Sequence, residues 1–348
     1  MNSGHPPPDI EWCYEAVQGV SRTFALTVEA LDEPMASQIG LGYLLCRVAD
    51  TIEDAGHIPP DEQVSLLATY DAALDPDADG TMLDFRSAVD PWLPEPERSE
   101  DWRVVARAPT VWATFADQPA DARAAIVPPV REMVDGMADF LSAHAATGGL
   151  RLADYAELDE YCHYAAGTVG MLITNLLTRD GVAQGRSETL YETAGSFARL
   201  LQLVNVAKDV HADFHEENNV YLPATWLAAE NVEQEHVLAD RNRDAVGRVV
   251  DRTATRARTF LDDAQSYLEA MPLSHGNTLA AWSVPYLLSV GTLRELRNRP
   301  GDALTETGVK VDREEVFAVM SVASDTGRDA LGDLRTSIER EPFHLAVE

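Results

Sequence analysis

Lysine is almost absent from this sequence, since Lys208 and Lys310 are the only two and every other basic residue is arginine. Lys and Arg together number 27 against 58 Asp and Glu, which gives a net charge of −31. This balance excludes a typical nucleic-acid binder, which needs positive charge against phosphates, and opposes docking on an anionic membrane surface. No long run of one sign explains the total. We interpret the dispersed acid as adaptation to a salty cytosol, where screening tolerates self-repulsion.

Cysteine is also scarce: Cys13, Cys46 and Cys162 are an odd number and form no C-x-x-C pair. A disulfide framework or a zinc site is therefore not predicted, and a reducing compartment fits. The first eight residues are polar and proline-rich, unlike a signal peptide. No apolar run reaches the roughly 18 residues that a membrane span needs. We expect a cytoplasmic protein without a transmembrane segment.

Strand signals are equally scarce, whereas apolar residues recur at helical spacing along most of the chain. The sequence predicts an all-α protein with one domain over 1–348, a core at about 10–325 and flexible ends. The proline-rich stretch 74–100 is predicted to be a surface loop. The predicted helices are 10–19, 22–30, 34–55, 61–73, 101–115, 120–146, 153–180, 187–216, 223–229, 234–271, 276–298 and 312–339.

The first candidate motif follows an apolar stretch and contains Asp50 and Asp54, with Arg47 one turn earlier. The two carboxylates are four residues apart, so they share one helical face and repel each other unless a cation neutralises them. Oxygen ligands alone favour a hard cation such as Mg²⁺. In so acidic a chain, this motif taken alone also fits a solvated helix face.

The second candidate motif places Asn205, Asp209 and Asp213 at spacings of four, with Gln202 three residues before the first. The residues between them are mostly apolar, which predicts a buried helix with one polar stripe. Such a stripe is not explained by solvation. Two acidic helices in one chain indicate a metal cluster that a phosphate-bearing ligand would complete.

Two further segments carry candidate residues. The run Tyr161–Gly170 is rich in small residues, which allow close helix approach or leave room for a bulky ligand; Tyr164 is its candidate functional residue or a core tyrosine. Ser21 can cap a helix. Arg22 follows it, and a guanidinium suits phosphate geometry.

Taken together, these motifs resemble the squalene/phytoene synthase family, which has the class I isoprenoid synthase fold. The resemblance covers roughly 10–325. It is carried by Ser21–Phe24, Ala30–Asp32, Tyr43 with Arg47 and Asp50–Asp54, Tyr161–Gly167, Leu201–Gln202 with Asn205 and Asp209–Asp213, and Tyr221–Pro223 with Trp226. The resemblance implies a single helical bundle with a central active-site cavity.

The resemblance also implies the chemistry and the site. Two farnesyl diphosphates would condense head to head to presqualene diphosphate with Mg²⁺, and NADPH would reduce this to squalene. The implied metal ligands are Asp50, Glu53, Asp54, Asn205, Asp209 and Asp213, and the implied catalytic residues are Tyr164, Arg47, Asp50, Asp54, Asp209 and Asp213. The implied substrate-binding residues are Ser21, Arg22, Phe24, Tyr43, Gln202 and Lys208, and Lys310 and Arg313 would bind NADPH. We expect a monomer that contacts a membrane at most transiently, to release product.

Within the family, the sequences of segments 50–54, 161–167 and 308–313 favour the squalene branch. Two departures weaken the basic side of the site: Lys208 stands where the family usually has Arg, and Asn218–Asn219 replace Gly-Arg. Phytoene synthase, which uses two geranylgeranyl diphosphates and no nicotinamide, is the alternative.

Alternatives of other classes are a di-iron carboxylate bundle and a non-enzymatic helical scaffold. A di-iron site needs Glu-x-x-His pairs on facing helices, and the sequence has that spacing at Glu160/His163, Glu233/His236 and Glu341/His344. A scaffold does not account for an acidic stripe on an apolar helix.

Overall fold

The structure is a computed structural model that describes residues 8–94, 99–179, 181–274, 276–323 and 327–346. For Arg22, Thr23 and Ala346 it describes the backbone and not the side chain. The chain divides into two compact units, one of Met1–Gly148 with Thr168–Val182 and one of Gly149–Gly167 with Ala183–Glu348. The single domain over 1–348 and the central cavity stay predictions.

The first unit consists of helices, several of which begin at a side-chain cap. Asp9, Ser21 and Ser99 each accept a hydrogen bond from a backbone N–H of the following first turn, which satisfies a donor that the helix leaves open. The helices are α1 Ile10–Val20, α2 Arg22–Glu29, α3 Met35–Glu53, α4 Pro60–Leu74, α5 Met82–Val89, α6 Glu100–Ala106, α7 Ala108–Ala116, α8 Ala120–His144 and α10 Thr168–Thr178.

The second unit is also helical and includes a π-helical turn at His163–Gly167 between α9 and α10. Its helices are α9 Tyr155–Cys162, α11 Gln184–Lys208, α12 Val210–Glu216, α13 Ala224–Ala229, α14 Arg243–Arg258, α15 Leu261–Ala270, α16 Thr278–Asn298, α17 Arg313–Ala323, α18 Leu331–Arg340 and α19 Phe343–Ala346. Helix α11 packs against α14, α15 and α16.

The all-α prediction is confirmed. No β-strand occurs in the described ranges, and an isolated parallel bridge joins Arg151 to Val220. No helix among the described residues is long and apolar enough to cross a membrane.

Several predicted boundaries are wrong for local reasons. The stretch 74–100 is not simply a loop, because Thr81 and Asp84 form a capping box that starts α5. The predicted helix 101–115 breaks at Arg107, since Pro109 in the first turn of α7 has no N–H to continue the ladder. Other predicted helices are interrupted, at the π turn in 153–180, at Asp209 in 187–216 and between α17 and α18 in 312–339. The predicted helix 234–271 begins only at Arg243, after two short 3-10 turns, and breaks between α14 and α15.

Helix α3 forms the core of the first unit, with α8 and α10 against it. Gly42 makes this approach possible, because a Cβ there would lie 3.1 Å from the Leu172 side chain. The buried Tyr70 hydroxyl donates to the Leu45 carbonyl at 2.9 Å and so joins α4 to α3. Burying such large side chains stabilises the unit by roughly 1.5–3 kcal/mol each.

In the second unit, a buried ion pair joins the C-terminal helices. Arg294 on α16 donates two hydrogen bonds to Glu315 on α17, at 2.9 and 2.7 Å, with 6% and 1% of the two side chains exposed. Arg294 also donates to the Ile338 carbonyl of α18, and the Phe343 N–H donates to Glu315. Because every polar atom of the pair has a partner, its burial is tolerated.

Candidate active site

One face of α3 differs from the rest of that helix. Tyr43, Arg47, Asp50 and Asp54 are spaced by four, three and four residues, and each is partly exposed. Every other residue from Met35 to Glu53 is buried. The first acidic motif therefore lies on a narrow polar stripe of a core helix and not on an ordinary solvated face. We call these four residues the α3 stripe.

Arg47 links the α3 stripe to another helix. It forms an ion pair with Asp50 on its own helix, and its Nε donates to Asp101 on α6 at 2.7 Å. Burial alone would lower the pKa of Arg47, but the two carboxylates together raise it. Asp101 lies 54 positions away in sequence and was not predicted. The sequence pattern of α6 does not distinguish Asp101, because its contact with Arg47 arises only when the two helices pack together.

Three of the predicted substrate-binding residues lie together in the same unit. The rings of Phe24 and Tyr43 stack with centroids 3.9 Å apart, and Ser21 accepts from the Phe24 N–H at 3.2 Å. Ser21 also forms a hydrogen bond with Tyr43, although burial is the main influence and raises the pKa of Tyr43 to about 12. The Arg22 side chain lies outside the described part of the structure.

The C-terminal end of the α3 stripe is held from α4. Gln63 donates from Nε2 to the carbonyls of Ile52 and Glu53, at 2.7 and 2.8 Å, and so satisfies two of the acceptors that a helix end leaves open. Glu53 itself is only 3% exposed, unlike Asp50 and Asp54. Its burial separates it from the stripe, and its role as a metal ligand stays a prediction.

The second acidic motif spans a break between α11 and α12. Asp209 is the junction, with φ −103° and ψ 12°. The i to i+4 hydrogen bonds nevertheless continue on both sides, from Asp209 N–H to the Asn205 carbonyl and from Asp213 N–H to the Asp209 carbonyl, each 3.0 Å. The predicted spacing of four is thus kept, and the three side chains are exposed or partly exposed while their neighbours Val206, Ala207 and Val210 are buried.

The donor set of this motif fits a hard cation. Burial, and next the charge of Asp209, raise the pKa of Asp213 to about 8, so ionising both carboxylates is costly unless a cation is near. Lys208 forms an ion pair with Asp209 and supplies part of the positive charge that the two carboxylates need. The available ligand atoms are carboxylate and amide oxygens, which Mg²⁺ prefers. Among the described residues, no group of three or more His, Cys, Asp and Glu side chains is arranged to hold a metal ion.

A buried polar network fixes the loop that follows the second motif. The Asn219 N–H donates to the Asp213 carbonyl at 2.8 Å, and Asn219 Oδ1 accepts from the Leu150 N–H at 2.8 Å. Its Nδ2 donates to the Tyr221 hydroxyl, which also accepts from the Tyr161 hydroxyl, both at 3.0 Å. Asn219, where the family usually has arginine, thus serves the internal structure of this unit.

The predicted catalytic Tyr164 lies in the π turn. This turn packs against α11, which carries the second motif. Four residues of the turn are partly exposed: His163, Tyr164, Ala165 and Ala166. The rings of His163 and Tyr164 contact each other edge to face. A π turn adds a residue to the helical turn and changes which side chains share a face, and such turns are frequent at functional sites.

The two predicted NADPH ligands are exposed. Lys310 follows Gly308, where a Cβ would lie 3.7 Å from the Lys208 carbonyl oxygen, so this segment runs beside the second motif. Arg313 lies over the ring of Phe317, 5.4 Å from its centroid. Gln202 and Lys208 are partly exposed on α11.

Comparison with known proteins decides the family. The sequence profile described as squalene/phytoene synthase matches residues 17–315, which is most of the chain. The chain belongs to the squalene/phytoene synthase family. This membership also disfavours the di-iron bundle and the scaffold.

Relatives within the squalene/phytoene synthase family are distant. A squalene synthase of Schizosaccharomyces pombe is 22% identical over 90% of this chain and 65% of its own length. A protein named Botryococcus squalene synthase, from Botryococcus braunii, is 28% identical over 60% of this chain and 41% of its own length. The chain thus spans less than two thirds of the length of these relatives.

The fold is that of solved members of the family. A structure described as the complex of TcSQS with the ligand E5700 superposes with a TM-score of 0.74, covering 97% of this chain and 99% of that chain at 20% identity. The all-α isoprenoid synthase fold predicted from the motifs is therefore confirmed.

Proposed function

We propose that this chain condenses two farnesyl diphosphates head to head in the presence of Mg²⁺ and reduces the resulting presqualene diphosphate to squalene with NADPH. The observation that carries the proposal is the α3 stripe, since a core helix exposes only a tyrosine, an arginine and two aspartates spaced for one face. The relatives described above are squalene synthases by name, which agrees with it.

In the first unit, Asp50 and Asp54 would supply carboxylate oxygens to the metal, and Arg47 would face the diphosphate. Mg²⁺ when bound stabilises the leaving diphosphate as a Lewis acid. Ser21, Phe24 and Tyr43 form one contact cluster, in which Tyr43 lies one turn before Arg47 on α3. This cluster would position the first allylic carbon chain, and the side chain of Arg22 would add a further cation.

In the second unit, Asn205, Asp209 and Asp213 are the proposed oxygen ligands. Tyr164 would stabilise cationic charge or accept the proton that is lost on forming the cyclopropane ring. Gln202 and Lys208 would contact the diphosphate from α11. Buried apolar side chains around both motifs would exclude water, which otherwise quenches an allylic cation.

A second candidate function, phytoene synthase, differs from the first in lacking the reductive step. The side-chain amide of Asn219 is neutral and hydrogen-bonds to Leu150, Tyr221 and Glu217 within its own unit. It therefore supplies no positive charge to the phosphates of a nicotinamide dinucleotide phosphate. This observation favours a phytoene synthase, which releases its product without reduction. Lys310, beside the second motif, and Arg313 are the cations that remain for NADPH.

The test measures the release of inorganic diphosphate from farnesyl diphosphate and, in parallel, from geranylgeranyl diphosphate, each with Mg²⁺ and with EDTA. The proposal predicts Mg²⁺-dependent release that is faster with farnesyl diphosphate. Faster release with geranylgeranyl diphosphate would support the phytoene candidate. No release with either substrate would contradict the proposed function.

A further inference from the structure

A small cavity in the second unit is lined by four of the chain's arginines. It has a volume of about 220 Å³ and lies among α14, α15, α16 and α18. Its polar walls are Arg258, Arg294, Arg297, Arg335 and Glu339, and the rest of its lining is apolar. In a chain of net charge −31, such a concentration of cations is unexpected. We propose that this arginine pocket binds a small multivalent oxyanion of the phosphate class.

Two of the four arginines are neutralised by carboxylates. Arg294 is paired with Glu315 and Glu295. Arg335 is paired with Glu339 and with Asp262. These two arginines therefore shape the wall of the pocket and contribute little net charge to it.

The other two arginines are paired with carboxylates less completely. Arg297, in the last turn of α16, makes no hydrogen bond or ion pair within the described part of the chain, although acidic residues outnumber basic ones by two to one. Arg258 donates to the Leu293 carbonyl at 2.6 Å, and its nearest carboxylate, Asp251, is 3.9 Å away. Arg297 is exposed, so its guanidinium is accessible to a ligand from solvent.

The electrostatics agree with this geometry. Burial, and next repulsion from Arg297, lower the pKa of Arg258, and Asp251 and Glu339 offset this only in part. An anion between Arg258 and Arg297 would remove the repulsion. Guanidinium groups bind phosphate oxygens through paired N–H donors, which gives both strength and geometry.

The size of the pocket limits the ligand. At about 30 Å³ per water, it has room for roughly seven waters. Inorganic phosphate or diphosphate would fit this volume. None of the residues of either acidic motif lines the pocket, so the inference does not depend on the proposed function.

The experiment measures binding of inorganic diphosphate, and separately of phosphate, to the full-length protein by isothermal titration calorimetry. EDTA is present so that metal-dependent binding at the acidic motifs is suppressed. Ionic strength is fixed at the lowest KCl concentration that preserves the helical signal. The variant is Arg297→Gln, and the matched control is Arg299→Gln, an exposed arginine two residues away that is already paired with Glu295.

The arginine pocket predicts one-to-one binding that Arg297→Gln weakens about tenfold or more, whereas Arg299→Gln leaves it unchanged. Asp209→Asn should also leave it unchanged, which separates this pocket from the second acidic motif. Absence of binding to the unaltered protein would overturn the inference. Equal weakening by the Arg297 and Arg299 variants would also overturn it, because that result indicates nonspecific charge attraction.

Discussion

A single arginine holds the first acidic motif in a defined position. Arg47 contacts Asp50 within α3 and Asp101 on α6, and all three side chains are only partly exposed. Asp50 lies on the same helix as Arg47, whereas Asp101 approaches the guanidinium from α6. Asp101 is therefore a positioning residue for the α3 stripe.

Replacing Asp101 with asparagine tests this role. Asp101→Asn weakens a charge-assisted hydrogen bond to Arg47, so we expect kcat to fall about tenfold while the free energy of unfolding changes by about 1 kcal/mol or less. The control is Glu100→Gln, whose exposed pair with Arg103 is adjacent in sequence. Steady-state kinetics and thermal unfolding measure both. Equal activities of the two variants would remove Asp101 from the site.

The proposed metal ligands make a stronger prediction. Asp50→Asn or Asp209→Asn should lower turnover by about 10²-fold or more at saturating Mg²⁺, since each substitution removes a negative charge that binds the metal cation. The far-ultraviolet circular dichroism should persist, because neither side chain packs in the core. Asp90→Asn, which alters an exposed pair with Arg86, is the control. Full activity in either variant would argue against the two-motif metal site.

At the scale of the element, the sequence predicts those features that an uninterrupted helix displays. The shared face of Arg47, Asp50 and Asp54 follows from spacing because α3 remains α-helical from Met35 to Glu53, whereas Tyr43 was expected from the family resemblance. The break at Asp209 and the π turn were not predicted, since a shift of one backbone hydrogen bond leaves no periodic mark in the residues. The family resemblance implied Ser21, Phe24 and Tyr43 as substrate-binding residues, but their mutual contact was not predicted, because Tyr43 lies on a different helix from the other two.

Replacing Gly167, the last residue of the π turn, tests the packing of that turn. A Cβ on Gly167 would lie 3.0 Å from Nδ1 of His163, so Gly167→Ala should disturb the turn that carries Tyr164. We expect a loss of about 1–3 kcal/mol in the free energy of unfolding and a lower kcat.

Gly185→Ala is the matched control for this substitution. Nothing lies within 4 Å of a Cβ at Gly185, in the first turn of α11, so alanine there should be neutral or stabilise by up to about 1 kcal/mol. Chemical denaturation and kinetics of both variants provide the readout. If Gly167→Ala behaves like Gly185→Ala, the close packing of the π turn has no functional consequence.

At the scale of the whole molecule, the excess of acid is the dominant feature. A net charge of −31 spread over one chain produces repulsion that opposes the compact state. The Debye length shortens from about 10 Å at 0.1 M salt to about 3 Å at 1 M. Salt adaptation remains our proposal for this composition.

We therefore expect the helical signal to weaken at low salt and to recover in molar KCl. The thermal midpoint should rise by about 5 °C or more between 0.1 and 2 M KCl, which for a chain of this length corresponds to roughly 4 kcal/mol. Tetramethylammonium chloride at equal ionic strength should act similarly if screening is the cause. A midpoint that does not depend on KCl would refute the salt-adapted interpretation.

The identity of the product tests the central claim most directly. The protein is incubated with farnesyl diphosphate and Mg²⁺ in high salt, with and without NADPH, and the products are identified by mass spectrometry. Our account predicts squalene with NADPH, and presqualene diphosphate, dehydrosqualene or alcohols without it. If phytoene forms from geranylgeranyl diphosphate while farnesyl diphosphate gives no NADPH-dependent hydrocarbon, the squalene assignment is contradicted and only membership of the family stands.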